Sequence, residues 1–337
     1  MHRCLPFTRR CLCAMPLLRS LGLVRLRLQC NSSVGCAAFA GRQEPPRVSA
    51  GFSSDSSAAT SLIGGRGQRP EAPRRIVLIR HGESEGNVNE AAYVRTADWR
   101  IGLTERGRQQ AAEAGGKLRE ILGDHPTMWY VSPYARTQQT LSELLKQWHS
   151  STAAGTAGLH EAARPEPAGG YLCLGIREEP RIAEQQFGNF QNVEAVLAAK
   201  EERKRFGRFW YRFPGGESGL DVYSRTTSFI STMFRDMRAI QHMLSSPERD
   251  SRSGVEYNIV IVTHGLTLRL FLMRWLRWTV MAFENSHNPP NAAVIVMERR
   301  QDSSGSQWFA LNAKSAQLLN IGAPQQLSLL GSQHPMV

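Results

Sequence analysis

Three stretches of this chain are apolar without interruption, and each runs into a segment whose apolar positions recur every three or four residues. Ile76-Val77-Leu78-Ile79 leads into Arg80-His81-Gly82, Met128 to Val131 leads into Ser132-Pro133, and Asn258 to Thr263 leads into His264-Gly265. Runs of four to six apolar or β-branched residues of this kind predict strands buried on both faces. Between and after them the period changes to that of a helix. Thr104 is placed to cap a helix from Glu105 to about Leu122, with Ala111, Ala112, Gly115 and Leu118 on one face. Further helices are expected over Tyr134 to Trp148, Asp221 to Leu244 and Leu266 to Trp278, and Ala292 to Met297 and Trp308 to Leu311 read as edge strands. Strands alternating with helices predict an α/β fold with a mostly parallel central sheet covered by helices on both faces.

The flanking sequence has another character. The first 43 residues lack Asp and Glu, carry scattered Arg, and contain Leu-rich pieces broken by Arg19, Arg25 and Arg27. That profile fits an organelle transit peptide over residues 1–48, for chloroplast or mitochondrion, the alternative being a tail without an address on a cytoplasmic protein. The interrupting arginines argue against a membrane span, which needs about 20 apolar residues. Residues 49–73, rich in Ser, Gly, Ala and Pro, read as a disordered linker, so the domain is expected over 74–322, with a flexible insertion near 150–170 and a flexible tail over 323–337.

Charge and cysteine change the picture little. Of the formal net charge of +12, residues 1–75 contribute +9, twelve Arg against Glu44, Asp55 and Glu71, which leaves +3 for the remainder. The basic balance therefore belongs to the leader and gives weak support for a nucleic-acid partner. Five of the six cysteines precede residue 37, and only Cys173 lies in the expected domain, which excludes a disulfide framework there.

Candidate chemistry gathers at the strand ends, where an open α/β sheet collects its reactive groups. His81 and His264 each follow a strand and precede a glycine. A histidine at a strand end is by itself an ordinary hydrogen-bonded residue, but here Arg80 adjoins one and Arg136 opens a helix after another strand. Two guanidinium groups near two imidazoles call for an anion between them, and Arg's planar fork suits the oxygens of a phosphate. A neutral imidazole can attack phosphorus if a backbone carbonyl holds one ring nitrogen as a donor, leaving the other free. The arginines and the second histidine would then stabilise the equatorial oxygens. Glu184 is the candidate acid for the leaving oxygen, although its spacing alone favours a surface carboxylate. The basic residues from Lys200 to Arg208 read as a solvated helical face, or as selectors of an anionic substrate. Trp210, Tyr211 and Phe213 read as core, or as a cover over the site.

The motifs occur in an order that resembles the histidine phosphatase superfamily. They are Arg80-His81-Gly82-Glu83 with Asn87, Leu103-Thr104-x-x-Gly107, Ser132-Pro133-x-x-Arg136-Thr137-x-x-Thr140, Glu184-x-x-Phe187-Gly188, Gly215-Gly216-Glu217-Ser218 with Arg225, and Val262-Thr263-His264-Gly265. The resemblance spans about Arg74 to Met297 and is similar in detail to the plant and fungal phosphoglycerate mutase-like proteins, some of them broad-range acid phosphatases. It implies a three-layer α/β sandwich, His81 as phospho-acceptor, Arg80, Asn87, Arg136 and His264 around the phosphate, and Glu184 as acid and base. Glu83 and Glu217 are charged neighbours, Glu217 as a residue that fixes a loop. The resemblance implies no metal or organic cofactor, and a small phosphorylated metabolite or other phosphomonoester as partner. The stretch after Glu184 does not match that of true mutases, so hydrolysis is expected over mutase-type transfer, with noncatalytic phosphate binding as a third reading. Nothing in the sequence decides the oligomeric state.

Overall fold

The computed structural model describes residues 72–149, 173–189, 192–244 and 255–322. The expected leader, the insertion and the tail fall outside the described residues, as does the linker up to residue 71. Ala72, the first described residue, is buried, and its carbonyl accepts a hydrogen bond from Arg299.

The elements, in chain order, are β1 (Arg75–Arg80), α1 (Glu85–Val88), α2 (Ala92–Arg95), α3 (Glu105–Leu122), β2 (Thr127–Val131), α4 (Ala135–His149), β3 (Cys173–Glu178), α5 (Val193–Phe206), α6 (Gly219–Leu244), β4 (Asn258–Thr263), α7 (Gly265–Trp275), α8 (Val280–Asn285), β5 (Val294–Gln301), β6 (Gln307–Leu311) and α9 (Ala313–Leu318). They build one six-stranded sheet in the order β3-β2-β4-β1-β5-β6. The first four in that order pair parallel, and β5 and β6 join antiparallel beside β1. The expected α/β sandwich with a mostly parallel sheet is the fold observed.

Central strands are apolar throughout because each face meets a different helical layer. Val77, Ile79, Trp129, Val131, Val260 and Val262 pack with Leu118, Leu122, Leu141 and Leu144 of α3 and α4. The alternate residues Ile76, Leu78, Met128, Tyr130, Ile259 and Ile261 pack with Phe229 and Met233 of α6 and Leu268 and Phe271 of α7. Each fully buried aliphatic side chain of this kind contributes roughly 1.5–3 kcal/mol.

Four differences from the sequence reading have local causes. The strand β3 escapes notice because Gly175 interrupts it and its last three residues are exposed, as suits a sheet edge. An internal place belongs to β5, between β1 and β6, so only β6 of that pair forms an edge. The helix α7 stops at Trp275 rather than Trp278, because Arg277 takes a left-handed φ of 55° and Trp278 N–H bonds back to Met273 O. Trp210 is 60% exposed, whereas Phe213 and Tyr211 are buried, so the core reading holds for only two of the three aromatics.

Candidate active site

The register of the sheet puts the two histidines side by side. Arg80 of β1 pairs with Thr263 of β4, so the next residue on each strand, His81 and His264, leaves the same edge at the same height. The bond from His81 N–H to Thr263 O (3.0 Å) extends the ladder by one step, and the ring centroids lie 5.2 Å apart. On the far side of β4, Val131 pairs with Val262, and Ser132 N–H continues that ladder to Val262 O at 3.1 Å. Three strand ends thus deliver His81, His264 and Ser132 to one spot.

Glycine lets the first loop sit close. A Cβ on Gly82 would run into the carbonyl of Gly107, and one on Gly107 into the carbonyl of Glu83, so the loop after His81 lies directly on the first turn of α3. Thr104 caps that turn, its Oγ1 accepting from Gly107 N–H at 3.0 Å and donating to Glu83 Oε1 at 2.9 Å. Glu83, a neighbour of uncertain role in the sequence, is a strut between this loop and α3.

His81 is buried and its Nδ1 lies 2.7 Å from the carbonyl of Gly82, which makes Nδ1 the protonated donor and leaves Nε2 free. Burial, reinforced by the guanidinium groups of Arg136 and Arg80, holds its imidazole well below the usual histidine range. His264, with Nε2 2.8 Å from Ser132 Oγ and Nδ1 buried without a partner, is lowered in the same way by burial and then by Arg136. Both rings are therefore neutral at neutral pH.

The two arginines bring more charge than the protein neutralises. Arg136 is 2% exposed, donates from Nη1 to Asp98 O and Oδ1 at 2.8 Å each, and lies over the Tyr134 ring. Arg80 donates from Nη1 to Pro289 O at 2.6 Å, while its Nε is buried and unpartnered. Asp98 forms the only ion pair to either arginine among the described residues.

Glu184 sits half-buried on the loop before α5, its Oε1 accepting Gln185 N–H at 3.1 Å. Burial raises its carboxyl above the usual range, against the opposing pull of Arg136 and Arg80. Its loop is tied down from beneath: Arg225 donates to the carbonyls of Arg181, Ala183 and Glu184 and pairs with Glu217, while Thr263 and Thr267 bond Ile182 O and Ala183 O. Glu217 fixes this loop further through Gln186 N–H.

Asn87 is exposed at the rim. Its Oδ1 accepts from Ser84 N–H and from Asn291 Nδ2, and Asn291 also donates to His81 O at 3.2 Å. The structure thus brings His81, His264, Arg80, Arg136 and Glu184 together, with Asn87 joined to them through Asn291. The sequence reading missed Asp98, Asn291 and the role of Arg225. Asp98 and Asn291 gave no local signal, since Asp98 precedes Arg136 by 38 positions and only the folded chain brings each to its partner; Arg225 stood among the motifs, but its bonds to the Glu184 loop are made only in the folded chain.

A family model described as the histidine phosphatase superfamily (branch 1) matches residues 76–170 and 165–311. The phosphoglycerate mutase-like protein AT74H of Arabidopsis thaliana is 40% identical over 264 residues, covering 76% of this chain and 84% of that protein. Its relative AT74 is 40% identical over 261 residues, covering 76% and 73%. The broad-range acid phosphatase DET1 of Saccharomyces cerevisiae is 34% identical over 295 residues, covering 67% of this chain and 85% of that protein.

Proposed function

Since the chain belongs to the histidine phosphatase superfamily, we propose that it is a phosphatase that hydrolyses small phosphomonoesters through a phosphohistidine at His81. The observation that carries this reading is the bond from His81 Nδ1 to Gly82 O, which leaves Nε2 unprotonated in a pocket holding two arginines. Nε2 attacks phosphorus, the N–P bond forms, and the bond to the ester oxygen breaks. Glu184, whose protonated form burial favours, gives its proton to the departing oxygen. The carboxylate left behind takes a proton from the water that attacks phosphohistidine, the N–P bond breaks, and inorganic phosphate leaves with His81 Nε2 free again.

The equatorial oxygens gather negative charge in this transfer, and Arg80 and Arg136 supply donors fixed before the reaction begins. In this reading Ser132 donates to His264 Nε2, so His264 presents Nδ1–H, the buried atom that lacks a protein partner. Asn87 contributes its amide nitrogen at the rim, its oxygen being committed to Ser84 and Asn291.

A burst assay with an aryl phosphate at mildly acidic pH, quenched in alkali to preserve phosphohistidine, tests the proposal. Wild type should turn over and trap label at one residue, and His81→Ala should do neither. Label or turnover undiminished in the variant would reject the nucleophile.

A further inference from the structure

Tyr93, on the short helix α2, stands between the loop that follows His81 and the loop that carries Glu184. On one side its ring lies on the backbone just before Asn87: a Cβ on Gly86 would come within 2.8 Å of both Cζ and the hydroxyl oxygen. On the other it meets Phe187, three residues after Glu184, edge to face with ring centroids 5.8 Å apart. Lys200 of α5 also lies over the ring, Nζ 5.2 Å from its centroid, with its charge matched by Glu90 at 2.6 Å. The phenol is half-buried there, and Arg136, Arg80, Glu184 and Asp98 are all within electrostatic reach of its hydroxyl.

Packing accounts for the ring but not for the hydroxyl. A phenylalanine would meet Gly86, Phe187 and the Lys200 ammonium equally well, whereas polar groups withdrawn from water are as a rule paired. The Tyr93 hydroxyl makes no hydrogen bond among the described residues. Two other tyrosines show the usual arrangement, Tyr130 donating to Asp236 at 2.7 Å and Tyr211 to Glu202 at 2.9 Å. Burial, offset only in part by Arg136, holds the Tyr93 phenol well above its usual range, so it keeps its proton and has one donor to give.

We propose that Tyr93 is a further substrate-contacting residue, whose O–H donates to a phosphoryl oxygen lying between Arg80 and Arg136. This rests on the phosphatase reading of the pocket. The arginines bring charge from the end of β1 and the start of α4, and the phenol adds a neutral donor from α2, a third element. Because its ring is already fixed against Gly86 and Phe187, the donor needs little ordering when the ester arrives, and its bond strengthens as the oxygens gather charge. Phosphoryl oxygens are common to every phosphomonoester, so the contact acts on all substrates alike. That separates it from Glu184, whose proton serves the leaving oxygen.

The test is Tyr93→Phe, which keeps the ring and removes only the hydroxyl, assayed on 4-nitrophenyl phosphate and on an alkyl phosphate. A donor to a charged oxygen is worth about 10- to 100-fold, so kcat/KM should fall by that factor and by the same factor on both substrates. The ligand-free variant should unfold at the wild-type temperature, since the hydroxyl has no partner in the protein to lose. Undiminished kcat/KM overturns the proposal, and so does a loss confined to the alkyl phosphate, which would assign the hydroxyl to the leaving oxygen. A Tm lowered by several degrees also overturns it, because the hydroxyl would then be serving the fold. Should wild type hydrolyse neither ester, the phosphatase reading fails alone, and calorimetry of inorganic phosphate with both proteins decides the contact: binding about tenfold weaker in Tyr93→Phe sustains it, and equal binding removes it.

Discussion

In the proposed reaction two residues matter first, and burial moves their protonation in opposite directions. Burial lowers His81 from the usual histidine range and raises Glu184 from the usual carboxylate range, shifts that favour a neutral imidazole and a protonated carboxyl. On this reading kcat/KM falls in acid as His81 gains a proton, below 6.5, and falls again toward alkali as Glu184 loses its own, above 4.5. Glu184→Gln should remove the alkaline limb and slow alkyl phosphates roughly 10²- to 10⁴-fold, while 4-nitrophenyl phosphate, whose leaving group needs no proton, loses far less. A pH–rate profile with both substrates checks this, and equal losses would deny Glu184 the role of acid. The single residues legible in the sequence were those inside local words, such as His81 in Arg80-His81-Gly82. Asp98 and Asn291 were not, because each meets its partner only across the folded pocket.

At the scale of elements, the loop that carries His81 has no rigidity of its own and borrows it from the start of α3. The contact is backbone against backbone, at Gly82 and Gly107, and Thr104 secures it by capping the helix and holding Glu83. Thr104→Ala removes both bonds. It is expected to cost about 1–2 kcal/mol, the range measured for N-cap threonines, and to lower Tm by several degrees, whereas Thr104→Ser should stay near wild type. Thermal unfolding of the three proteins gives the answer, and an unchanged Tm in the alanine variant would show that the cap is idle. This helix was predicted to the residue because a capping signal and a clear period coincide in it. The edge strand β3 was not, since half its residues face water and a glycine breaks its pattern.

For the molecule as a whole, the sheet gathers these local arrangements into one cationic pocket. Arg80, Arg136 and two unprotonated imidazoles face a space with one committed carboxylate, so an oxyanion should stabilise the folded state by mass action. Inorganic phosphate at about 100 times its dissociation constant is expected to add about 2.7 kcal/mol, raising Tm by roughly 5–10 °C. Arg136→Ala should abolish most of that rise, and a rise of the same size in the variant would place the bound anion elsewhere. By itself the sequence determined the alternation of strands and helices, the capped helix, and the words around His81, Arg136 and His264, because periodicity, capping and tight turns act over a few residues. Tertiary structure alone decided that β4 enters the sheet between β1 and β2. That insertion aligns Arg80 with Thr263 across 182 intervening positions and so sets the two imidazoles 5.2 Å apart. It also brought Asp98, Arg225 and Asn291 to the site, since the pairing of distant strands follows from how all the apolar faces are buried at once, which no short window of sequence contains.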